Sequence, residues 1–191
     1  MLNRSVNKFY SSDDSIGGNK ALMFSDILEV PNIVLLGEPG SGQTYLFEFA
    51  SQYEQGNYTT ARSFIIHADD SYIDKRLYID ALDEKRSRVN NIDSISEIIK
   101  HVKQIKPSSV RVSCRASDWL GETDLELFKP YFETSGGYCV VALEKLTENE
   151  IDRILNPSFD SSDKNAIKNR RIEFIKVVLW HYRFDFVLKM G

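Results

Sequence analysis

The consecutive residues Gly37-Glu38-Pro39-Gly40-Ser41-Gly42-Gln43-Thr44 match the phosphate-binding pattern G-x-x-x-x-G-K-[ST] at every fixed position except the lysine, which is Gln43. In such a stretch the glycines let backbone N–H groups close around a phosphate. A helix opening at Gln43-Thr44 turns its free N–H groups and its dipole on the same anion, and the Thr44 hydroxyl can reach Mg2+. All the residues from Gly37 to Thr44 are therefore candidate contacts to a nucleotide's phosphates. Gln43 can donate hydrogen bonds but carries no charge to set against β and γ phosphates.

Two further groups could complete that chemistry. The segment Arg76 to Ser87 (RLYIDALDEKRS) places Asp80 at the end of a short apolar run, with Glu84 just beyond it. An acid at the carboxyl end of a central strand can hold a hydrated Mg2+, and Glu84 lies far enough on to orient a water for attack on a γ phosphate. Ser113 and Arg115 end the alternating run Val110 to Cys114, where a polar group could sense whether the nucleotide is a triphosphate or a diphosphate. The alternative reading of Arg115 is an arginine in an ordinary strand-to-loop turn, paired with Asp118 or Asp124.

These residues need elements to hold them. Ile33 to Leu36 is a buried strand feeding the loop, and Tyr45, Leu46, Phe49, Ala50 and Tyr53 mark the apolar face of the helix after it. Residues 1 to 20, rich in Ser, Asn, Asp and Gly, read as a loop or loosely held arm, and Ala21 to Leu28 as a short helix limited by Pro31. Thr60 to His67 has the branched and aromatic content of a strand, with Asp69-Asp70 capping a short helix after it. Leu77 to Ile79 is a short strand. Asn91 to Ile105 is the clearest amphipathic helix, its isoleucine stripe packing on the sheet. Trp119 packs under a helix over Glu122 to Phe128, and Tyr138 to Leu143 is a strand covered on both faces. Thr147 and Glu150 form a capping box, and a last helix from Asp163 beyond Tyr182 carries a broad apolar face and a locally basic end, read as a solvated helix face ahead of an anion or interdomain contact.

At 191 residues and 42% hydrophobic, the chain can bury one sizeable core. A formal charge of -4 without long like-charge blocks gives no reason to expect a nucleic-acid or membrane partner. Cys114 and Cys139 lie in apolar runs and read as small buried hydrophobes rather than a disulfide or metal pair; His67, His101 and His181 match no zinc spacing. The polar opening and the lack of a long apolar run make a cytoplasmic location the expectation.

Taken together, GEPGSGQT at 37–44, LYIDALDE at 77–84, VSCRASDW at 112–119 and VALEKLTENEI at 141–151 resemble the NACHT-like ATPases of the STAND class, signalling and defence NTPases of the additional-strand phosphate-loop group. The resemblance spans residues 30 to 155 and implies an α/β P-loop NTPase fold. It would have three α/β/α layers, a central parallel sheet of about five strands ordered 5-1-4-3-2, and C-terminal helices. It places Gly42, Gln43 and Thr44 at the end of Walker A and makes Thr44 and Asp80 the Mg2+ ligands, with Asp80 the Walker B acid. Glu84 becomes the water-orienting acid and Arg115 the nucleotide sensor. The implied organisation is an N-terminal arm and short helix over 1–29, a nucleotide-binding domain over 30–146, and over 147–191 the start of a helical lid or appendage. Family members exchange ADP for ATP and then assemble, through effector and sensor domains on either side. Neither is in this sequence, so the expectation is a fragment ending inside the lid or a small stand-alone relative. Its partners would be the nucleotide and, through self-association or those flanking domains, other proteins.

The resemblance thus implies a switch module binding ATP or ADP with Mg2+, its hydrolysis cut by the loss of charge at Gln43. A catalytically silent scaffold for protein interactions and a small-molecule nucleotide kinase stand as alternatives. Only Arg170 and Arg171 offer a lid to the kinase, and no N-K-x-D guanine motif is present.

Overall fold

The computed structural model describes residues 4–13, 16, 22–82 and 91–147, the side chains of 91–93 excepted. The chain divides into two compact units, 1–38 with 42–144 and 39–41 with 145–191; every element named below lies in the first. In chain order they are β1 (Ser5–Ser11), β2 (Leu22–Met23), a 3-10 turn (Phe24–Ile27), β3 (Asn32–Gly37), α1 (Gln43–Tyr53), β4 (Asn57–Thr60), α2 (Ala61–His67), β5 (Arg76–Asp80), α3 (Asn91–Ile105), β6 (Ser109–Arg115), α4 (Glu122–Thr134) and β7 (Tyr138–Leu143).

These strands form one sheet in the order β2-β1-β7-β3-β6-β5-β4. From β7 to β4 every neighbouring pair is parallel, and β1 runs antiparallel to both β7 and β2. Counting only the parallel strands in chain order, the arrangement is 5-1-4-3-2, as the resemblance implies. Strand alternation divides the core between two faces. Val34, Leu36, Ile79 and Val112 meet Phe64 of α2, the isoleucines of α3 and Phe128 and Phe132 of α4, while Ile33, Leu35 and Val141 meet Leu46, Phe47 and Ala50 of α1 together with Phe24 and Ile27. Both β3 and β7 are thereby buried on both faces, which is why Ile33 to Leu36 and Tyr138 to Leu143 read as apolar runs.

Four expectations change. Residues 61–67 form a helix, not a strand: Thr60 caps it by accepting from the Ser63 N–H at 3.2 Å, and Ala61 and Phe64, one helical turn apart, are the buried positions. The strand lies just ahead, as the polar edge strand β4. It follows Gly56, where a Cβ would come within 2.6 Å of the Arg76 carbonyl. The opening segment is not an arm over its whole length, because Ser5 to Ser11 pair along β7 and cover what would otherwise be its open edge. The short helix expected over Ala21 to Leu28 shrinks to the 3-10 turn, whose entry is held by the Met23 N–H donating to Asp26 at 3.0 Å. Finally, α4 continues past Phe128 and through Pro130 to Thr134. The capping box at Thr147 and Glu150 and the helix from Asp163 lie wholly or partly outside the described residues.

A buried ionic cluster fastens α1 to the sheet. Arg111, in β6, pairs with Glu54 at 3.1 Å and donates to the Leu28 carbonyl at 2.6 Å, and Glu54 also takes hydrogen bonds from Arg76 and the Tyr78 hydroxyl. Burial, offset in part by Arg111, raises the Tyr78 phenol above its ordinary range, and burial lowers the Arg111 guanidinium. Cys114 and Cys139 are both buried in the core, and neither forms a disulfide.

Candidate phosphate-binding site

Because β3, β6 and β5 are parallel, their carboxyl ends open on one edge of the sheet. Gly37 ends β3 opposite Arg115, the last residue of β6. Gly40 and Gly42 have φ of 80° and 84°, a left-handed backbone that side chains strain to adopt. Gly42 is the residue before α1, accepting from the Leu46 N–H at 2.9 Å, and with no side chain of its own it cannot cap the helix. Thr44 is exposed on the first turn of α1, and Glu38 is exposed beside Gly37. Pro39, Gly40 and Ser41 belong to the second unit.

Asp80 ends β5 at that same edge and is 3% exposed. One carboxylate oxygen accepts from the Ser113 hydroxyl and the other from the Tyr58 hydroxyl at 2.8 Å. Ser113 also accepts from the Ala81 N–H at 3.0 Å, and its carbonyl accepts from the Leu82 N–H at 3.1 Å. Ala81 has a positive φ of 57°, so the chain turns sharply as soon as the acid has been placed. Ser113 thus holds both the acid and the turn that follows it. An ionised carboxylate offers about four acceptor positions, and these two hydrogen bonds leave room for a cation. Magnesium bound by one carboxylate together with a hydroxyl, substrate phosphates and water suits a site with a single buried acid. Among the described residues no group of three or more His, Cys, Asp or Glu is placed to hold a metal by itself.

Gln43 does not face outward. Its amide nitrogen donates to the Leu35 carbonyl on β3 and, at 3.0 Å, to the Cys114 carbonyl on β6. Both amide hydrogens are therefore spent on the sheet, and the side-chain donation to phosphate expected from the sequence is unmade in this rotamer. The backbone N–H of residue 43 is a separate group. Arg115 is exposed, and its carbonyl accepts from the Trp119 N–H at 3.2 Å across a 3-10 turn over Ala116 to Asp118. Trp119 stacks on Phe128 of α4 with ring centroids 6.4 Å apart. Glu84 lies outside the described residues. Tyr58 was missed by sequence reasoning, which assigned the strand to the wrong side of Thr60; no local signal marks a tyrosine whose partner sits on the next strand.

A glycine turn between the first parallel strand and its helix, with an acid at the end of the third strand and the fourth strand between them, decides the architecture. The chain has a P-loop NTPase fold. Protein-family models and curated proteins give no match to it. Among solved structures it is similar to a DNA replication initiation factor, at 14% identity and a TM-score of 0.46 over 80% of this chain and 58% of that one. It is also similar to AMPPCP-bound DnaA from Aquifex aeolicus, at 14% and 0.47 over 80% of this chain and 56% of that one. A katanin structure concerned with self-assembly gives 15% and 0.46 over 89% and 67%. The chain spans under two thirds of the length of the first two. Among the described residues no helix is long and apolar enough to cross a membrane.

Proposed function

We propose that this chain is a nucleotide-binding module that holds ATP or ADP with Mg2+ and hydrolyses ATP very slowly, acting as a switch of the NACHT-like STAND kind. The observation that supports it most is the shared edge of the sheet, on which β3 ends at Gly37 ahead of the loop and α1, and β5 ends at the buried Asp80. In this reading the backbone N–H groups of the loop receive the phosphates, Thr44 and Asp80 hold Mg2+, and Arg115 senses the terminal phosphate. Magnesium, when bound, would neutralise charge on the phosphate chain. Glu84 is assigned the orientation of water. Slow turnover follows from Gln43, which brings no cation and whose amide is committed to the sheet.

That commitment also favours a second reading, a silent scaffold in which Gln43 serves only to staple β3 to β6. Calorimetric titration of the chain with ATP and ADP, with and without Mg2+, separates the two. The switch reading expects binding of both nucleotides and phosphate release far below turnover of about 1 per second. Turnover near that rate, abolished by Glu84→Gln, would overturn the slow-hydrolysis assignment. A folded chain that binds neither nucleotide leaves the scaffold.

A further inference from the structure

Along β6 the residues alternate in chemistry as well as in direction. Val110, Val112 and Cys114 belong to the core under α2, α3 and α4, so Arg111 and Ser113 turn to the face that α1 covers, where Leu35 of β3 is the register partner of Ser113. Ser113 is 1% exposed there. A buried hydroxyl costs free energy unless it is paired, and packing alone would be met by an apolar residue of similar size. It is paired twice. Oγ accepts from the Ala81 N–H at 3.0 Å and donates to one oxygen of Asp80. An amide N–H can only donate, so the bond from Ala81 leaves the hydroxyl proton for the carboxylate. The pairing of Ile79 with Val112 brings the residues that follow them, Asp80 and Ser113, level across the two strands. Beyond the positive-φ turn at Ala81, the Ser113 carbonyl takes the N–H of the fully buried Leu82, so the chain is held on both sides of the acid.

We infer that Ser113 is a positioning residue for a Mg2+–nucleotide complex, holding the Asp80 carboxylate in the orientation that offers its remaining acceptor positions to the cation. This role rests on the nucleotide-site reading above. The hydroxyl proton of Ser113 is spent on Asp80, so the serine acts through the acid. A carboxylate free to turn about its side-chain torsions must be ordered when the metal arrives, whereas one oxygen fixed from a central strand has been ordered by folding. Ser113 is itself fixed, because the Ala81 N–H sets the position of its oxygen. Tyr58 differs: it donates to the other oxygen from the edge strand, through a side chain long enough to follow the carboxylate, and occupies an acceptor position without setting its direction. Removing the Ser113 hydroxyl therefore weakens the metal-dependent part of nucleotide binding.

The test is calorimetric titration of the full chain with ATP over a series of Mg2+ concentrations and in EDTA, as wild type, Ser113→Ala, Ser113→Cys and Ser113→Thr, with a thermal melt of each in the absence of nucleotide. Ser113→Ala and Ser113→Cys are expected to cut the gain in ATP affinity that Mg2+ brings by about tenfold or more, the usual scale for losing a partner that orients a metal ligand, and to leave binding in EDTA unchanged. Cysteine keeps the shape of the buried site with a weaker donor, so it answers the question even where alanine fails to fold. Ser113→Thr keeps the hydroxyl and should retain most of the gain. A gain from Mg2+ that is the same in wild type and Ser113→Cys overturns the inference and leaves the nucleotide site standing. Equal losses with and without Mg2+, running parallel to a drop in melting temperature, make Ser113 a fastener of the turn and also overturn it. If folded wild type binds no ATP, or binds it equally with and without Mg2+, the assignment of nucleotide or of metal fails and takes this one with it.

Discussion

Replacing Gln43 by methionine removes both amide donors with little change of shape, and so tests whether the staple between β3 and β6 exists in solution. The two hydrogen bonds to the Leu35 and Cys114 carbonyls are part-buried. At about 1 kcal/mol net for each, their loss should cost ~2 kcal/mol. For a chain of this length that corresponds to a fall in melting temperature of roughly 4–8 °C. Gln43→Lys should behave differently. An ammonium can donate to one carbonyl or reach outward to a phosphate, so without nucleotide it should lose about 1 kcal/mol, and with Mg2+-ATP it should gain on the order of 1–3 kcal/mol of affinity. On the proposed reading ADP should gain less, because the added charge would lie toward the β and γ phosphates while the backbone N–H groups would already serve the β phosphate. Thermal melts followed by circular dichroism, with and without nucleotide, and calorimetric titration measure both effects. A methionine variant melting within about 1 °C of wild type would refute the staple. An unchanged ATP affinity in the lysine variant would refute the account of what residue 43 withholds.

Other perturbations probe the frame and the acid. Glu54→Ala leaves the guanidinium of Arg111, 1% exposed, without its counterion, and should cost about 3–5 kcal/mol in urea denaturation; a loss below ~1 kcal/mol would mean water relieves the charge. Tyr58→Phe removes one of the hydrogen bonds to Asp80, so the Mg2+-dependent part of ATP binding should strengthen, and a weakening would show instead that Tyr58 positions the carboxylate. Burial raises the Tyr78 phenol in the folded chain, so the stability it contributes is full below the unfolded phenol's pKa of ~10 and declines as pH rises past it. Denaturation series between about pH 8 and pH 11 should show that decline, which Tyr78→Phe should reduce. Burial pushes the Cys139 thiol up to about 12, so alkylation should be negligible in the native chain and rapid in denaturant.

The parts of this protein legible in the sequence are those in which neighbours along the chain carry the signal. The apolar run into Gly37, the glycine spacing of the loop and the isoleucine period of α3 are local patterns, and α3 begins and ends at the residues its periodicity marks. Local content misleads where packing competes with it. Phe64, Ile65 and Ile66 suit a strand, but β4 already fills the sheet edge, and capping by Thr60 together with burial of Ala61 and Phe64 makes a helix the better arrangement. Likewise Ser5 to Ser11 carries little hydrophobic signal, since only Val6 is buried, and becomes a strand because β7 offers it an edge. Strand order follows from which chains of backbone donors and acceptors meet, so the family resemblance could imply it while composition and periodicity could not. The site shows the same division at the level of single side chains. The presence of an amide at position 43 is written in the chain, but its direction is set by a carbonyl on β6 far along the sequence. The hydrogen bonds to Asp80 come from strands on either side of it. A hydrogen bond between strands needs both partners placed within about 3 Å, and that placement exists only once the sheet has assembled.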